Sequence, residues 1–332
     1  MQRILVIQTA FIGDVVLATG LLEKLHQKFP QANIDIVVRK GNETLFTDHP
    51  FLQTVYCWDK KKNKYLHLLE LIRLIRRKKY DTVINVQRYA ATGLLTALSG
   101  ARKKIGFDKN PFRFLFTDII PHDFSGEGDA VHEIQRNHAL IRAITDEHAA
   151  KPKLHPSEAD AKVIACYQTK PYVCIAPASV WFTKQYPATG WIELIRQIPD
   201  TYTIFLLGAP GDRVLCEKIE QQSNRSIINL AGKLSFLSSA ALMKNAAMNY
   251  VNDSAPMHFA SAVNAPVTAV YCSTIPSFGY GPLSDRSFVV ETPVALNCRP
   301  CGLHGHTKCP QGHFHCAVKI QTQQLLETLS AP

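Results

Sequence analysis

Residues 250–260 read Tyr250-Val-Asn-Asp253-Ser-Ala-Pro256-Met-His258-Phe-Ala260. The order is the end of a buried strand, a short polar turn, and a helix with proline in its first turn. Proline is accepted there because the first helical N–H groups have no partner inside the helix. The same N–H groups, with the positive end of the helix dipole, suit an anion such as a diphosphate. Asp253 and Ser254 stand at the exposed point of the turn. Asp and Ser are also the ordinary capping residues, so capping is the alternative role for both.

Around this turn, apolar strands predicted at 172–175, 203–207, 226–230, 247–251 and 267–271 alternate with helices at 190–197, 212–222, 235–244 and 256–263. The first half repeats the pattern, with strands at 3–8, 34–38 and 82–86 and helices at 14–28, 65–79 and 90–98. Short apolar strands separated by helices predict an α/β chain with parallel sheets covered on both faces. Tyr65, Leu68, Leu69, Ile72 and Ile75 are expected on the buried face of the 65–79 helix, whose C-terminal end is basic. The pattern loosens from 108 to 168, where a loop at 123–129 and a helix at 132–144 are expected. Pro152 and Pro156 suggest a boundary. The expected organisation is a domain at 1–155, a linker at 156–170 and a second domain at 171–332, doubly wound halves with ligands at the C-terminal strand ends of a shared cleft.

At 332 residues, with 46% hydrophobic and 19% charged content, the composition is that of a soluble globular protein with room for two cores. No apolar run approaches the roughly 20 residues of a membrane span. The run Arg3-Ile-Leu-Val-Ile-Gln8 is too short for a signal peptide's apolar core, so a cytoplasmic location is expected. Nine cysteines then fit reduced thiols. The net charge of +10 is uneven: between Lys60 and Arg113 there are fifteen Lys or Arg against Glu70, Asp81 and Asp108. Such a stretch attracts nucleic acid, an anionic membrane or an acidic glycolipid, or is a solvated basic face.

Two further segments fall at strand ends. Thr9-Ala-Phe-Ile-Gly13-Asp14 has a single glycine and is not a dinucleotide fingerprint. A carboxylate at Asp14 could take a proton from a hydroxyl nucleophile, or cap the helix that follows. In Ala176-Pro-Ala-Ser179-Val-Trp-Phe-Thr-Lys184-Gln-Tyr-Pro187, Lys184 could reach an anion, or be an ordinary surface lysine.

Five segments in order resemble one family: IQTAFIGDVVLATGLL with APASVWFTKQYP and NDSAPMHFASAVNAPVTAVY, YDTVINVQ followed by SGARKKIGF, and AGKLSFLSSAALMKNA. They are similar to the family 9 glycosyltransferases, the bacterial heptosyltransferases of lipopolysaccharide inner-core assembly. The resemblance implies a GT-B fold, two Rossmann-like domains facing across a cleft, with the acceptor on the N-terminal domain and an ADP-heptose donor on the C-terminal one. It implies an inverting transfer that needs no metal. Asp14 falls on the family's proposed base, with Gly13 beside it. Ser179 and Lys184 fall on diphosphate contacts, and Asp253 on a sugar contact with backbone N–H groups at Ser254 and Ala255. His258 matches a motif histidine or serves helix packing. Gly232, Lys233 and Leu234 match a segment near the base, and Asp212 a ribose contact. The basic stretch, with Lys60, Lys61, Lys62 and Lys64 at its head, suits an acidic lipid A–Kdo acceptor at the inner membrane face. No nucleic acid partner is expected from the resemblance.

Cys298, Cys301, Cys309 and Cys316, with His304, His306, His313 and His315 between them, have the ligand types of a structural zinc site. The run also resembles the cysteine-rich tail of heptosyltransferase II-type members. Buried reduced thiols are the alternative. Two other readings compete: a family member using another nucleotide sugar on another glycan, and a basic nucleic-acid-binding protein with a zinc-like cluster, which leaves Asp14, Lys184 and Asp253 without a purpose.

Overall fold

The computed structural model describes residues 2–122 and 131–330, and the loop expected at 123–129 lies outside them. The chain divides into two compact units, Met1–His155 and Pro156–Pro332. The first runs β1 (Arg3–Ile7), α1 (Ile12–Lys28), β2 (Asn33–Arg39), β3 (Leu52–Trp58), α2 (Lys64–Lys78), β4 (Thr82–Asn85), α3 (Ala90–Leu98), β5 (Lys103–Phe107), β6 (Asp118–Ile120) and α4 (Glu133–Ala139). The second runs α5 (Glu158–Ile164), β7 (Tyr172–Ala176), α6 (Ala188–Gln197), β8 (Thr203–Leu206), α7 (Arg213–Ser223), β9 (Ile228–Asn229), α8 (Phe236–Lys244), β10 (Met248–Asn252), α9 (Ala255–Ala262), β11 (Val267–Tyr271), β12 (Ser287–Glu291), α10 (His315–Val318) and α11 (Thr322–Ser330).

Each unit holds one six-stranded parallel sheet, ordered β3-β2-β1-β4-β5-β6 and β12-β11-β10-β7-β8-β9. These are the same winding: the chain builds outward on one side of its first strand, then returns to build on the other. The direction reverses between β1 and β4, and between β7 and β10. At such a switch point the loops leave the sheet in opposite directions and open a crevice at the strand ends. The loop before Asp14 follows β1. The loops carrying Lys184 and Asp253 follow β7 and β10.

Burial on both faces explains the unbroken apolar strands: Ile4, Leu5, Val6 and Ile7 of β1 are all fully buried. One face of the first sheet packs Leu5, Ile7 and Val37 under Leu68, Leu71, Ile72 and Ile75 of α2. In the second unit, Ile175, Leu206 and Tyr250 pack with Trp191 and Ile195 of α6 and Leu325 of α11. Tyr250 donates to the Leu325 carbonyl at 3.2 Å, fixing the C-terminal helix under β10.

Several elements differ from expectation. On α2 the buried stripe is Leu68, Leu71, Ile72 and Ile75, whereas Tyr65 is 72% and Leu69 47% exposed. An i, i+3, i+4 series admits either neighbour of Leu68, and tertiary packing chose Leu71. The 132–144 helix is shorter: α4 ends at Ala139 and a separate 3-10 turn spans Arg142–Ile144. The 156–170 linker holds α5, capped by Ser157, with Asp160 accepting from Ser235 and Ser238 at the start of α8 (3.1 and 2.6 Å).

Candidate functional site

In the second unit, β7 ends at Ala176 and the chain passes through a 3-10 turn, Phe182–Lys184. Lys184 is held in place through Thr183, which is buried. Its N–H donates to the His306 carbonyl (3.1 Å), and its hydroxyl accepts from His306 N–H (2.7 Å) and from the Ser273 hydroxyl (3.0 Å). Ser273 N–H donates back to the Thr183 carbonyl at 3.2 Å. The Lys184 ammonium reaches Asp253, Nζ to Oδ2, at 2.7 Å, and the Thr274 hydroxyl donates to the same oxygen at 2.6 Å. Asp253 is 6% exposed, so a carboxylate there needs both donors.

Neither Asp253 nor Ser254 acts as a side-chain cap. Ser254 is the N-cap by backbone position, but its hydroxyl makes no cap bond and is placed to donate to Asn252 O at 3.4 Å. Met257 N–H donates to Ser254 O, and Pro256 has no N–H. The amides that remain to meet an anion at this helix start are those of Ser254 and Ala255. Asn252 ties the two switch-point loops together: its Oδ1 accepts from Tyr186 N–H and its Nδ2 donates to Pro177 O, both at 2.8 Å. His258 is buried on α9. Ser179 is half-buried, and its carbonyl accepts from Gln185 Nε2 at 2.6 Å.

The loops after β8 and β9 meet each other. Gly232 has φ +73°, its N–H donates to Gly208 O at 2.8 Å, and a Cβ there would stand 2.8 Å from Pro210 Cα. Lys233 is exposed and Leu234 half-buried. Asp212 spends one carboxylate oxygen on Ala209 N–H at 2.7 Å, so it shapes the turn, leaving only its other oxygen for a ribose.

In the first unit, Phe11 is the N-cap of α1 by position, and Asp14 lies inside the first turn, half-buried, with Gly13 before it. Asp14 is therefore not the cap residue. The loop before it is braced by Lys60, Asn42 and Arg39. Lys60 Nζ donates to the carbonyl and hydroxyl of Thr9 (2.7 and 3.0 Å), and Asn42 Nδ2 to Ala10 O (3.2 Å). Arg39 lies over the Phe11 ring at 4.9 Å. Burial, then Arg39 and Lys64, push Lys60 down to about 8. The four lysines separate here. Lys61 and Lys62 give their backbone N–H groups to Asp59 (2.9 and 3.1 Å) with exposed side chains, and Lys64 lies over Tyr65.

All nine cysteines are free thiols. The four of the tail lie near one another: burial, then Cys301 and Cys309, push the Cys316 thiol up to about 11, with Cys298 adding to the effect. Cys298 Sγ stands 3.9 Å from His313 Nε2, while Cys301 Sγ donates to Cys298 O at 3.0 Å. The segment is tied to the end of β11. Arg299 donates to the carbonyls of Cys272 and Thr274 (both 2.7 Å), and Cys301 N–H to Ser273 O (2.9 Å). Among the described residues, three donor atoms come within 4.8 Å of one another only at Glu23, His49 and His155. The tail instead braces the Lys184 loop through His306. Gly305, at φ +77°, lies so close that a Cβ would stand 3.0 Å from Lys184 Cγ.

Known proteins are similar to this chain. The family model for glycosyltransferase family 9 (heptosyltransferase) matches residues 68–309. Lipopolysaccharide heptosyltransferase 3 of Escherichia coli is 26% identical over 285 residues, 80% of this chain and 82% of that one. Lipopolysaccharide heptosyltransferase 2 of Escherichia coli is 24% identical, covering 99% and 98%. The solved structure of the Escherichia coli ADP-heptose lipopolysaccharide heptosyltransferase II superposes with a TM-score of 0.80 at 22% identity, covering 99% of this chain and 97% of that one, and so has the same fold. With a family model spanning well over half its length, the chain belongs to glycosyltransferase family 9, and it is a glycosyltransferase.

Proposed function

We propose that this chain transfers a heptose from ADP-heptose to the inner core of a lipid A–Kdo acceptor, with inversion. The observation that carries the reading is the Lys184–Asp253 pair at the start of α9. A leaving diphosphate concentrates negative charge at the moment the sugar departs. An ammonium and two helix-start amides, already in position, meet that charge without reorganisation. Asp253, with Thr274 on one oxygen, has its other oxygen to accept from a sugar hydroxyl. The Gly208–Asp212 and Gly232–Leu234 loops suit the nucleoside.

Asp14 acts as the base. It takes the proton from the acceptor hydroxyl as the oxygen attacks C1 of the heptose. The C1–O bond to the diphosphate breaks on the opposite face, and ADP leaves with the electron pair. Lys60 and Arg39, beside the loop that carries Asp14, supply positive charge for acceptor phosphates or carboxylates. The relatives named above carry heptosyltransferase 2 and 3 names at nearly equal identity, so the acceptor position is left to experiment. Among the described residues no helix is long and apolar enough to cross a membrane. Tyr65, Leu66 and Leu69 are exposed on α2 beside Arg73, Arg76, Arg77 and Lys78, a pattern that suits contact with an anionic bilayer.

A panel of ADP-heptose, other ADP-sugars and UDP-sugars with lipid A–Kdo acceptors, read by mass spectrometry, tests the proposal. A heptose mass added only from ADP-heptose supports it. Transfer from a different donor alone favours another glycan as the natural product.

A further inference from the structure

Apart from the residues assigned above, the first unit gathers three imidazoles and a carboxylate about one aromatic ring. His26 of α1 stacks on Phe51 with centroids 4.1 Å apart. His49 and His155 meet the same ring edge-on at 4.5 and 6.2 Å, and each other at 4.7 Å. Glu23, one turn before His26, accepts from His155 Nε2 at 2.7 Å. One donor atom from each of Glu23, His49 and His155 lies within 4.8 Å of the other two.

We propose that Glu23, His49 and His155 form a binding site for a divalent transition-metal ion of the zinc class. Two imidazoles and one carboxylate are a donor set that zinc accepts, with water in the fourth position. With bonds of about 2.0–2.1 Å, tetrahedral ligands stand about 3.3 Å apart. The Glu23–His155 contact then opens by less than about 1 Å, within the reach of side-chain torsions.

An ordinary Glu–His ion pair accounts for Glu23 and His155, but it leaves His49 and His26 unexplained. Among the described residues His49 has a long bond to its Nδ1, from Leu52 N–H at 3.4 Å. His26 Nδ1 is buried without a hydrogen-bond partner among the described residues. The three ligands come from α1, from the turn before β3 and from the last residue of the unit. An ion there staples the end of the first unit to its first helix, and does so independently of sugar transfer.

The test uses the full-length chain, stripped with chelator and titrated with Co²⁺ and with Zn²⁺. Cobalt held by nitrogen and oxygen shows weak visible bands, whereas cobalt held by the tail cysteines adds an intense near-ultraviolet thiolate band. The expected result is one ion with the nitrogen–oxygen spectrum and a melting temperature raised by zinc. Glu23→Gln and His49→Gln, checked for folding by circular dichroism, should each weaken uptake by more than about tenfold and abolish the zinc-dependent rise. Cys301→Ser should change neither. No uptake, a spectrum wholly of the thiolate type, or binding by both variants equal to wild type would overturn the proposal. So would a Glu23→Gln variant whose melting temperature falls equally with and without zinc, the signature of an ion pair alone.

Discussion

Lys184 and Asp253 join the two loops that leave the second sheet at its switch point, Nζ standing 2.7 Å from Oδ2 with both side chains largely buried. The pair binds nothing by its own charge balance. It sets a partly desolvated ammonium against the turn that leads into α9.

Lys184→Ala is expected to weaken ADP binding by about 10- to 100-fold, the worth of a hydrogen bond to a charged group. It should also lower stability by about 3 kcal/mol, because Asp253 is left buried without its cation. Adding Asp253→Asn to that variant should restore much of the stability and none of the nucleotide affinity. Calorimetry and denaturant unfolding measure the two separately.

Gly305→Ala tests whether the cysteine-rich tail positions Lys184. The new methyl would meet Thr183 Oγ1 at 2.9 Å and the Lys184 stem at 3.0 Å, at a φ of +77°. The expected outcome is a cost of about 1–3 kcal/mol from the backbone alone. Nucleotide affinity should fall with it, while acceptor binding should not change. An unchanged ADP affinity in a folded Gly305→Ala protein would separate the tail from the donor site.

Lys60, pushed down to about 8, predicts a pH dependence for the acceptor side. Its ammonium is present below that value and lost above it, so the KM for an anionic acceptor should rise between about pH 7.5 and 9. Lys60→Arg, charged throughout, should flatten the profile. Donor KM should not follow the same curve.

His122 gives a stability test that does not involve the chemistry. Burial against Phe107, then the charges of Arg88 and Arg136, pushes its imidazole down to about 4. The folded state therefore binds fewer protons than the unfolded chain. The contribution is intact above about pH 6.5 and is lost as pH falls toward 4. Between pH 7 and 5 the wild type should lose about 1–2 kcal/mol more than His122→Gln, by urea unfolding at each pH.

What could be read in advance follows from locality. Strands with both faces covered, such as β1, β7 and β10, are continuous apolar runs and announce themselves. Strand β3 has only Trp58 fully covered, and β5 opens with Lys103-Lys104, so neither shows a run. The helix start at Pro256 was legible because proline is accepted in a first turn. Thr274 and the Thr183–His306–Ser273 linkage were not, since they join residues far apart in the chain. Lys60 was picked out for its charge, but not for its reach to Thr9. The anchoring of the tail to the end of β11 by Arg299 could not be read from the cysteine spacing. Glu23, His49 and His155 were missed for the same reason: their nearness exists only after folding.

The central claim is that Asp14 performs chemistry and does not merely help to fold α1. The most direct measurement compares wild type and Asp14→Asn in single-turnover transfer of heptose to a lipid A–Kdo acceptor, with donor affinity measured on the same samples. Loss of the base is expected to slow transfer by about 10²–10⁴-fold while ADP-heptose binding stays within about twofold. Transfer at the wild-type rate by Asp14→Asn would contradict the account.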